Sequence, residues 1–154
     1  MENNELIVKE ENQILGFAVN TNSNVDVETH SSIKDPKKLF NLETNVDVML
    51  NDIVGESIKV KDVLIRKYRK PLDEPIINAE TGEIEKDTEL KVSCVLIDDQ
   101  GKSYATGSKT FTFDMMKFLG NYGGASLLEN GIDIKIIKKP VGKNGNKALS
   151  FELL

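Results

Sequence analysis

Cysteine and histidine each occur only once in this chain, at Cys94 and His30. A lone cysteine excludes a disulfide framework within one chain, and one cysteine with one histidine cannot assemble a zinc site of the usual four-ligand kind. No apolar run approaches the roughly 20 residues that a membrane-spanning helix needs, and no basic-then-apolar signal opens the sequence. A reducing, cytoplasmic setting without a membrane partner is therefore expected. No glycine-rich phosphate loop precedes a helix. His30 stands in a polar stretch, where a solvated loop histidine is expected. Cys94 alternates in phase with Leu90, Val92 and Leu96, which reads as a buried structural thiol. These gaps leave no catalytic constellation, and the expectation is a protein that is not an enzyme and uses no cofactor or metal.

What is present is ordinary in amount and uneven in placement. The 154 residues suffice for one domain with a core, at 39% hydrophobic and 29% charged. The formal net charge of −5 conceals segregation. Residues 1–56 hold 4 basic and 11 acidic side chains, a net of −7, and residues 57–154 hold 16 and 14, a net of +2. Within the latter, residues 72–90 hold 1 and 7; the remainder is 15 against 7, a net of +8. Glu80, Glu83, Glu85, Asp87 and Glu89 in that segment could chelate a hard cation, but their spacing is not that of an EF-hand and a solvated acidic loop is expected.

Residues 1–36 show no sustained period and read as a mobile acidic arm, with a short strand at 13–20. Asp35-Pro36 marks the boundary with a second region, 37–154. Val46, Met49, Leu50 and Ile53 fit one helix face, so a short helix is expected in 37–53, capped by Thr44 or Asn45 and ended by Gly55. Strand-like alternation follows at 57–70, 88–98 and 103–112, then a helix at 113–119 capped by Thr112, then strands at 132–139 and 147–154. In the first strand Ile58 and Val60 share a face, and Val63 and Ile65 take over one residue out of phase; a bulge at Lys61-Asp62 keeps all four inward. The outward set past the slip is Leu64, Arg66, Tyr68 and Lys70. Asp98-Asp99-Gln100-Gly101 reads as a tight turn, where a turn role outweighs metal binding. Asn144-Gly145 marks a hairpin tip, and Leu149, Phe151 and Leu153 are expected inward. Three strands, a helix and two strands is the order of an OB-fold, a five-stranded Greek-key barrel. The expected architecture is thus all-β with one short helix in the barrel, preceded by the arm and the N-terminal helix.

Arg66, Lys67, Tyr68, Arg69 and Lys70 place four cations around one tyrosine at the end of the first strand. Single-strand binders need both parts, since cations neutralise phosphates and an aromatic face stacks on any base. Lys59, Lys61, Arg66, Arg69, Lys109, Lys135 and Lys143 are candidates for phosphate contact, and Tyr68 and Tyr104 for stacking. Phe111 joins them, with packing beneath the helix as its alternative role. The acidic arm and the acidic loop are expected to compete with nucleic acid for the cationic surface.

Three stretches carry a resemblance. Leu50-Asn51-Asp52-Ile53-Val54-Gly55-Glu56, leading into Ile58-Lys59-Val60-Lys61-Asp62-Val63, resembles the opening of single-stranded DNA-binding proteins encoded by bacteriophages and mobile elements of low-GC bacteria. Asn78-Ala79-Glu80-Thr81-Gly82-Glu83-Ile84-Glu85 is similar to an insertion in that family, and the stretch Val95 through Lys109 is similar to that family as well. The resemblance spans roughly residue 40 to the end. It implies an OB barrel and a replication or recombination accessory protein in the cytoplasm of a bacterial host. Many single-strand binders end in an acidic tail that recruits partners, whereas this chain ends Phe151-Glu152-Leu153-Leu154 and carries its acid at the amino terminus.

The expected function is a non-catalytic protein that coats single-stranded DNA, leaving room for replication or recombination proteins and a homo-oligomer as partners. A rival is a small β-barrel interaction module of a phage assembly or host-takeover protein. A third reading is a nuclease using the acidic loop and a metal.

Overall fold

Long β-rich segments dictate the architecture, and the computed structural model describes Ile7–Lys9, Val19–Asn22 and residues 27–154, with side chains from Glu28 onward. The protein is mostly β: a curled, mixed sheet forms half a barrel, with three short helices among the described residues. The strands are β1 (Ile7–Lys9), β2 (Val19–Asn22), β3 (Val27–Ser31), β4 (Val48–Met49), β5 (Ser57–Ile77), β6 (Ile84–Asp98), β7 (Ser103–Thr106), β8 (Ile132–Val141) and β9 (Asn146–Leu153). The helices are α1 (Pro36–Thr44), α2 (Lys109–Asn121) and α3 (Gly124–Leu127). The strand–strand–strand–helix–strand–strand order expected from the sequence is present from β5 onward.

β5 is the spine. It pairs antiparallel with β6 along one edge; on the other edge its start pairs with β8 and its middle with β3. The register slips between Val60 and Asp62, where the sequence places a bulge, and Ile58, Val60, Val63 and Ile65 all reach the core. The edge beside β7 is closed by β4, which pairs with it in parallel. Among the described residues β9 pairs with β8 alone, and β7 and β9 are not paired with each other.

One apolar core fills the concave side, where Leu96, Cys94, Ile134 and Ile136 meet α2 through Phe111, Met115, Phe118 and Leu119. A second, smaller core lies on the opposite face, where Leu64, Val95 and Ile97 pack under Ile33 and Leu42. The run Val95-Leu96-Ile97 is therefore buried on both faces, and Leu64, expected outward, is covered by the α1 region.

Several boundaries differ from the sequence expectation. Asp35 caps α1 by accepting from the Lys37 amide, with Pro36 opening the helix, so the helix starts and stops earlier than the Val46–Ile53 periodicity suggested. Asp47 explains the stop. Its amide donates to Ser103 Oγ at 3.0 Å, and its carboxylate accepts from the Ser103 amide at 2.9 Å and hydroxyl at 3.1 Å, pinning the chain as β4 beside β7. The third barrel strand ends at Thr106, not at residue 112, because Ser108 caps α2 through the Phe111 amide; Thr112 lies inside the helix, its hydroxyl donating to the Ser108 carbonyl at 2.8 Å.

Residues 72–90, expected as a loop, are the distal half of a long two-stranded ribbon. The extra β5 residues between Pro71 and Ile76 make an irregular bend, and the tip turn runs from Asn78 to Glu83. Pro71 is tolerated because β3 ends opposite Tyr68, and among the described residues nothing pairs with that edge of β5 beyond it. Of the expected strand at 13–20, residues 13–18 lie outside the described residues and 19–20 belong to β2. Leu153, expected inward, is 53% exposed.

His30 departs furthest. It is fully buried on β3 opposite Ile65, with Nε2 bonded to the Glu28 carboxylate and Nδ1 without a partner among the described residues. The polar neighbourhood in the sequence concealed it, because burial here comes from β5 pairing. No helix among the described residues is long and apolar enough to cross a membrane.

Candidate nucleic-acid interface

Strand alternation sets the first half of the site. Arg66, Tyr68 and Lys70 project from one face of β5, and the antiparallel register sets Ser93, Lys91 and Glu89 of β6 directly opposite. Tyr68 is half-buried, and the Arg66 guanidinium carbon lies 5.5 Å from its ring centroid, within cation–π range. Arg66 Nε also stands 3.3 Å from Glu43 Oε1 of α1, an ion pair without hydrogen-bond alignment.

The second half converges on Glu89. Lys91 Nζ lies 3.2 Å from its carboxylate. The hydrogen bond from Lys91 holds the Glu89 carboxyl below its ordinary range against a smaller effect of burial, and the charges of Lys91, Lys109 and Lys70 act in the same direction. Lys109 opens α2 and is exposed. Arg66, Tyr68 and Lys70 thus share one face of the β5–β6 pair with Lys91 and Glu89, and Lys109, at the start of α2, adds its charge near Glu89. A ring flanked by cations can stack on a base while the cations meet phosphates on either side.

The other expected site residues fall elsewhere. Arg69 points to the opposite face of β5, exposed, with Nη1 3.5 Å from Thr88 Oγ1. Lys59 and Lys61 sit near the start of β5, roughly 30 and 23 Å along the strand from Tyr68 at about 3.3 Å per residue. Lys61 Nζ donates to the Glu129 carbonyl at 2.8 Å. Both stems lie over Gly131, where φ is +82° and a Cβ would come within 2.9 Å of Lys59 Cε. Lys135 is half-buried on β8 between Ser57 and Glu152, and Lys143 is exposed in the β8–β9 turn.

Two aromatic candidates are corrected. Phe111 is fully buried, and its ring centroid lies 5.2 Å from that of Phe151. Tyr104 is 9% exposed within the main core, and its hydroxyl donates to Asp98 Oδ2 at 2.7 Å. Burial and that bond to Asp98 push its phenol up to about 12. Neither ring offers a face for stacking. Phe111 falls on α2 because the third strand ends six residues earlier than expected, whereas Tyr104 lies on β7 as expected but opposite Leu96 on the core face.

Sequence reasoning missed Lys91 and Glu43. Alternation in 88–98 already set Lys91 outward, but only the register reveals that it faces Tyr68. Glu43 became visible once α1 was found to cover the same face. The Asp98 turn is as expected: Oδ1 accepts from the Gln100 and Lys102 amides, each at 2.9 Å. Cys94 is fully buried as expected, and burial pushes its thiol up. Among the described residues no three of His, Cys, Asp and Glu gather as metal ligands. Comparison of the chain with protein-family models, with curated proteins and with solved structures finds no match.

Proposed function

We propose that this protein binds single-stranded DNA without catalysis, as a coating protein of phage-type replication or recombination in a bacterial cytoplasm. The observation that carries the reading is Tyr68. Its half-buried ring sits under Arg66 and opposite Lys91, with the Lys70–Glu89 pair next along the same face. Base stacking plus phosphate neutralisation is the chemistry that sequence-tolerant single-strand binding requires.

We further assign the half-barrel to the OB type. The meander β5–β6–β7, the helix α2, the hairpin β8–β9 and the return of β8 to β5 support that assignment. The pairing that would close such a barrel, between β7 and β9, is replaced on β7 by the parallel partner β4. The resemblance of residues 50–63, 78–85 and 95–109 to phage and mobile-element single-strand binders points the same way. A second reading, a protein-interaction module, is favoured by one feature: the acidic ribbon tip with Ile76, Ile77 and Ile84 half or more exposed.

Salt-dependent retention of purified protein on single-stranded DNA tests the proposal. With about four phosphates neutralised, log affinity should fall against log salt with a slope of roughly −3, at about −0.7 per contact. A flat response, or no binding at low salt, refutes it in favour of the interaction module.

A further inference from the structure

The two long hairpins carry opposite charge and leave the sheet in opposite directions. From Leu72 to Leu90 the β5–β6 ribbon holds seven acidic side chains and one lysine. From Lys135 to Lys147 the β8–β9 hairpin holds five lysines and no acid. Of these, Lys138, Lys143 and Lys147 are exposed, whereas Lys139 is engaged by Asp114 at 2.6 Å.

Register gives the directions. β8 runs antiparallel to β5, and its pairing retreats from Val60 to Ser57 as β8 advances from Ile132 to Lys135. The rest of β8 extends past the start of β5, while the acidic tip lies beyond the far end. The opposite charges cannot meet within one molecule.

The ribbon is also incompletely covered. β3 pairing stops at Tyr68 on one edge, and β7 pairing stops at Cys94 on the other. Beyond those points no other strand among the described residues pairs with the ribbon, and a two-stranded arrangement is marginal in water without further packing. Ile77 and Ile84 form a cross-strand pair at the tip, 57% and 60% exposed, ringed by Glu80, Glu83 and Asp87. The complementary hairpin presents Pro140 and Val141 among its lysines. An apolar centre with a charged rim is the usual anatomy of a protein interface.

We propose that the acidic ribbon tip of one copy docks on the basic β8–β9 hairpin of a second copy of this chain. The contact uses different surfaces on its two sides, so it is heterologous and builds an open head-to-tail string, not a closed dimer. The string needs no nucleic acid to form, and it leaves the Tyr68 face of each copy free.

Sedimentation velocity on the full chain without nucleic acid tests this. Association that grows with concentration and dissolves at high salt is expected, because exposed charges are screened beyond about 8 Å at physiological ionic strength. One variant carries Glu80→Lys, Glu83→Lys and Asp87→Lys; the other carries Lys138→Glu, Lys143→Glu and Lys147→Glu. All six positions are exposed, so each variant should fold, which circular dichroism checks. Each variant alone should lose self-association by at least about tenfold, since residues 80–87 go from a net of −3 to +3 in the first and residues 135–147 from +5 to −1 in the second, so that tip and hairpin now carry like charge. An equal mixture should regain it, because every contact between the two variants is again between opposite charges. A wild-type chain that stays monomeric at every concentration, or a mixture that stays monomeric while wild type associates, overturns the proposal. The DNA-binding reading is untouched by either result, since no DNA is present.

Discussion

Truncating the two tyrosines separately should move two different quantities. Tyr104 is 9% exposed in the main core, so Tyr104→Ala removes a packed ring and should cost about 3–5 kcal/mol of stability. The lost hydroxyl bond to Asp98 is the smaller part, because that carboxylate keeps the Gln100 and Lys102 amides. About 4 kcal/mol is a large share of the 5–15 kcal/mol that folded domains possess, and at about 2–4 °C per kcal/mol it lowers the melting temperature by roughly 8–16 °C. Tyr68 is only half-buried and its partner is a cation, not a core. Tyr68→Ala should lower stability by about 1 kcal/mol through lost cation–π contact and strand packing. If the ring stacks on a base, it should also weaken binding by about 1–3 kcal/mol, or roughly 5- to 150-fold in Kd.

Urea denaturation and fluorescence anisotropy with a labelled oligonucleotide, run on the same preparations, read both quantities. Tyr68→Phe should bind nearly as well as wild type, since stacking needs the ring and not the hydroxyl. Unchanged affinity in Tyr68→Ala refutes the stacking assignment. Tyr104→Ala with full stability and weakened binding would reverse the two roles and refute the placement of both rings.

Acid should loosen the fold through three aspartates. Hydrogen bonds from the Ser103 amide and hydroxyl lower the Asp47 carboxyl; burial raises those of Asp98 and Asp114, but bonds from Tyr104 and the Lys102 and Gln100 amides to the first, and from Lys139 and Ser150 to the second, outweigh it. Folded values below the ordinary 3.8 mean that this stability is present above that pH and is lost as pH falls through the depressed values, so Asp114→Asn should flatten the urea midpoint against pH in that range; an unaltered profile contradicts it. Gly124→Ala drives a Cβ into the Phe118 ring and should cost about 1–3 kcal/mol in melting experiments, whereas Gly107→Ala, with only the Val92 carbonyl at 3.9 Å, should cost less.

Local chemistry made much of the barrel readable. The phase slip at Lys61-Asp62, the Asp98 turn and the Cys94 alternation each depend on neighbours a few residues away, and each is found. What was not readable depends on distant partners. Val46 to Ile53 has helical spacing, yet Asp47 is held by Ser103, 56 residues away. His30 looks solvated until β3 is laid against β5. The acidic segment reads as a loop because glutamates are poor strand formers, and only pairing with the far half of β5 makes it a ribbon. The site followed the same rule. Arg66 and Tyr68 were legible from strand alternation alone, while Lys91 and Glu43 required the register and the docking of α1.

That placement relocates the effect expected of the acid. The sequence puts its densest acid next to the basic end of β5 and so suggests that Glu80, Glu83 and Glu85 oppose nucleic acid there. Along β6, however, Ile84 at the tip lies seven residues from Lys91 at the site, about 23 Å at 3.3 Å per residue. Charges that far apart are screened at physiological salt, where the Debye length is about 8 Å. The acids that do reach the site are Glu43, 3.3 Å from Arg66, and Glu89, 3.2 Å from Lys91. Exposed ion pairs of this kind are worth about 0.2–1 kcal/mol, so freeing one cation gains at most about fivefold in affinity. Glu43→Gln and Glu89→Gln should each tighten oligonucleotide binding within that limit at low salt, with the gain fading as salt rises. Neutralising Glu80, Glu83 and Glu85 together should leave affinity for a short oligonucleotide, held by one copy, unchanged at physiological salt. Tighter binding from the tip variants with none from Glu43→Gln or Glu89→Gln would show that the ribbon folds back over the Tyr68 face, and the separation of acid from site argued from the register would be wrong.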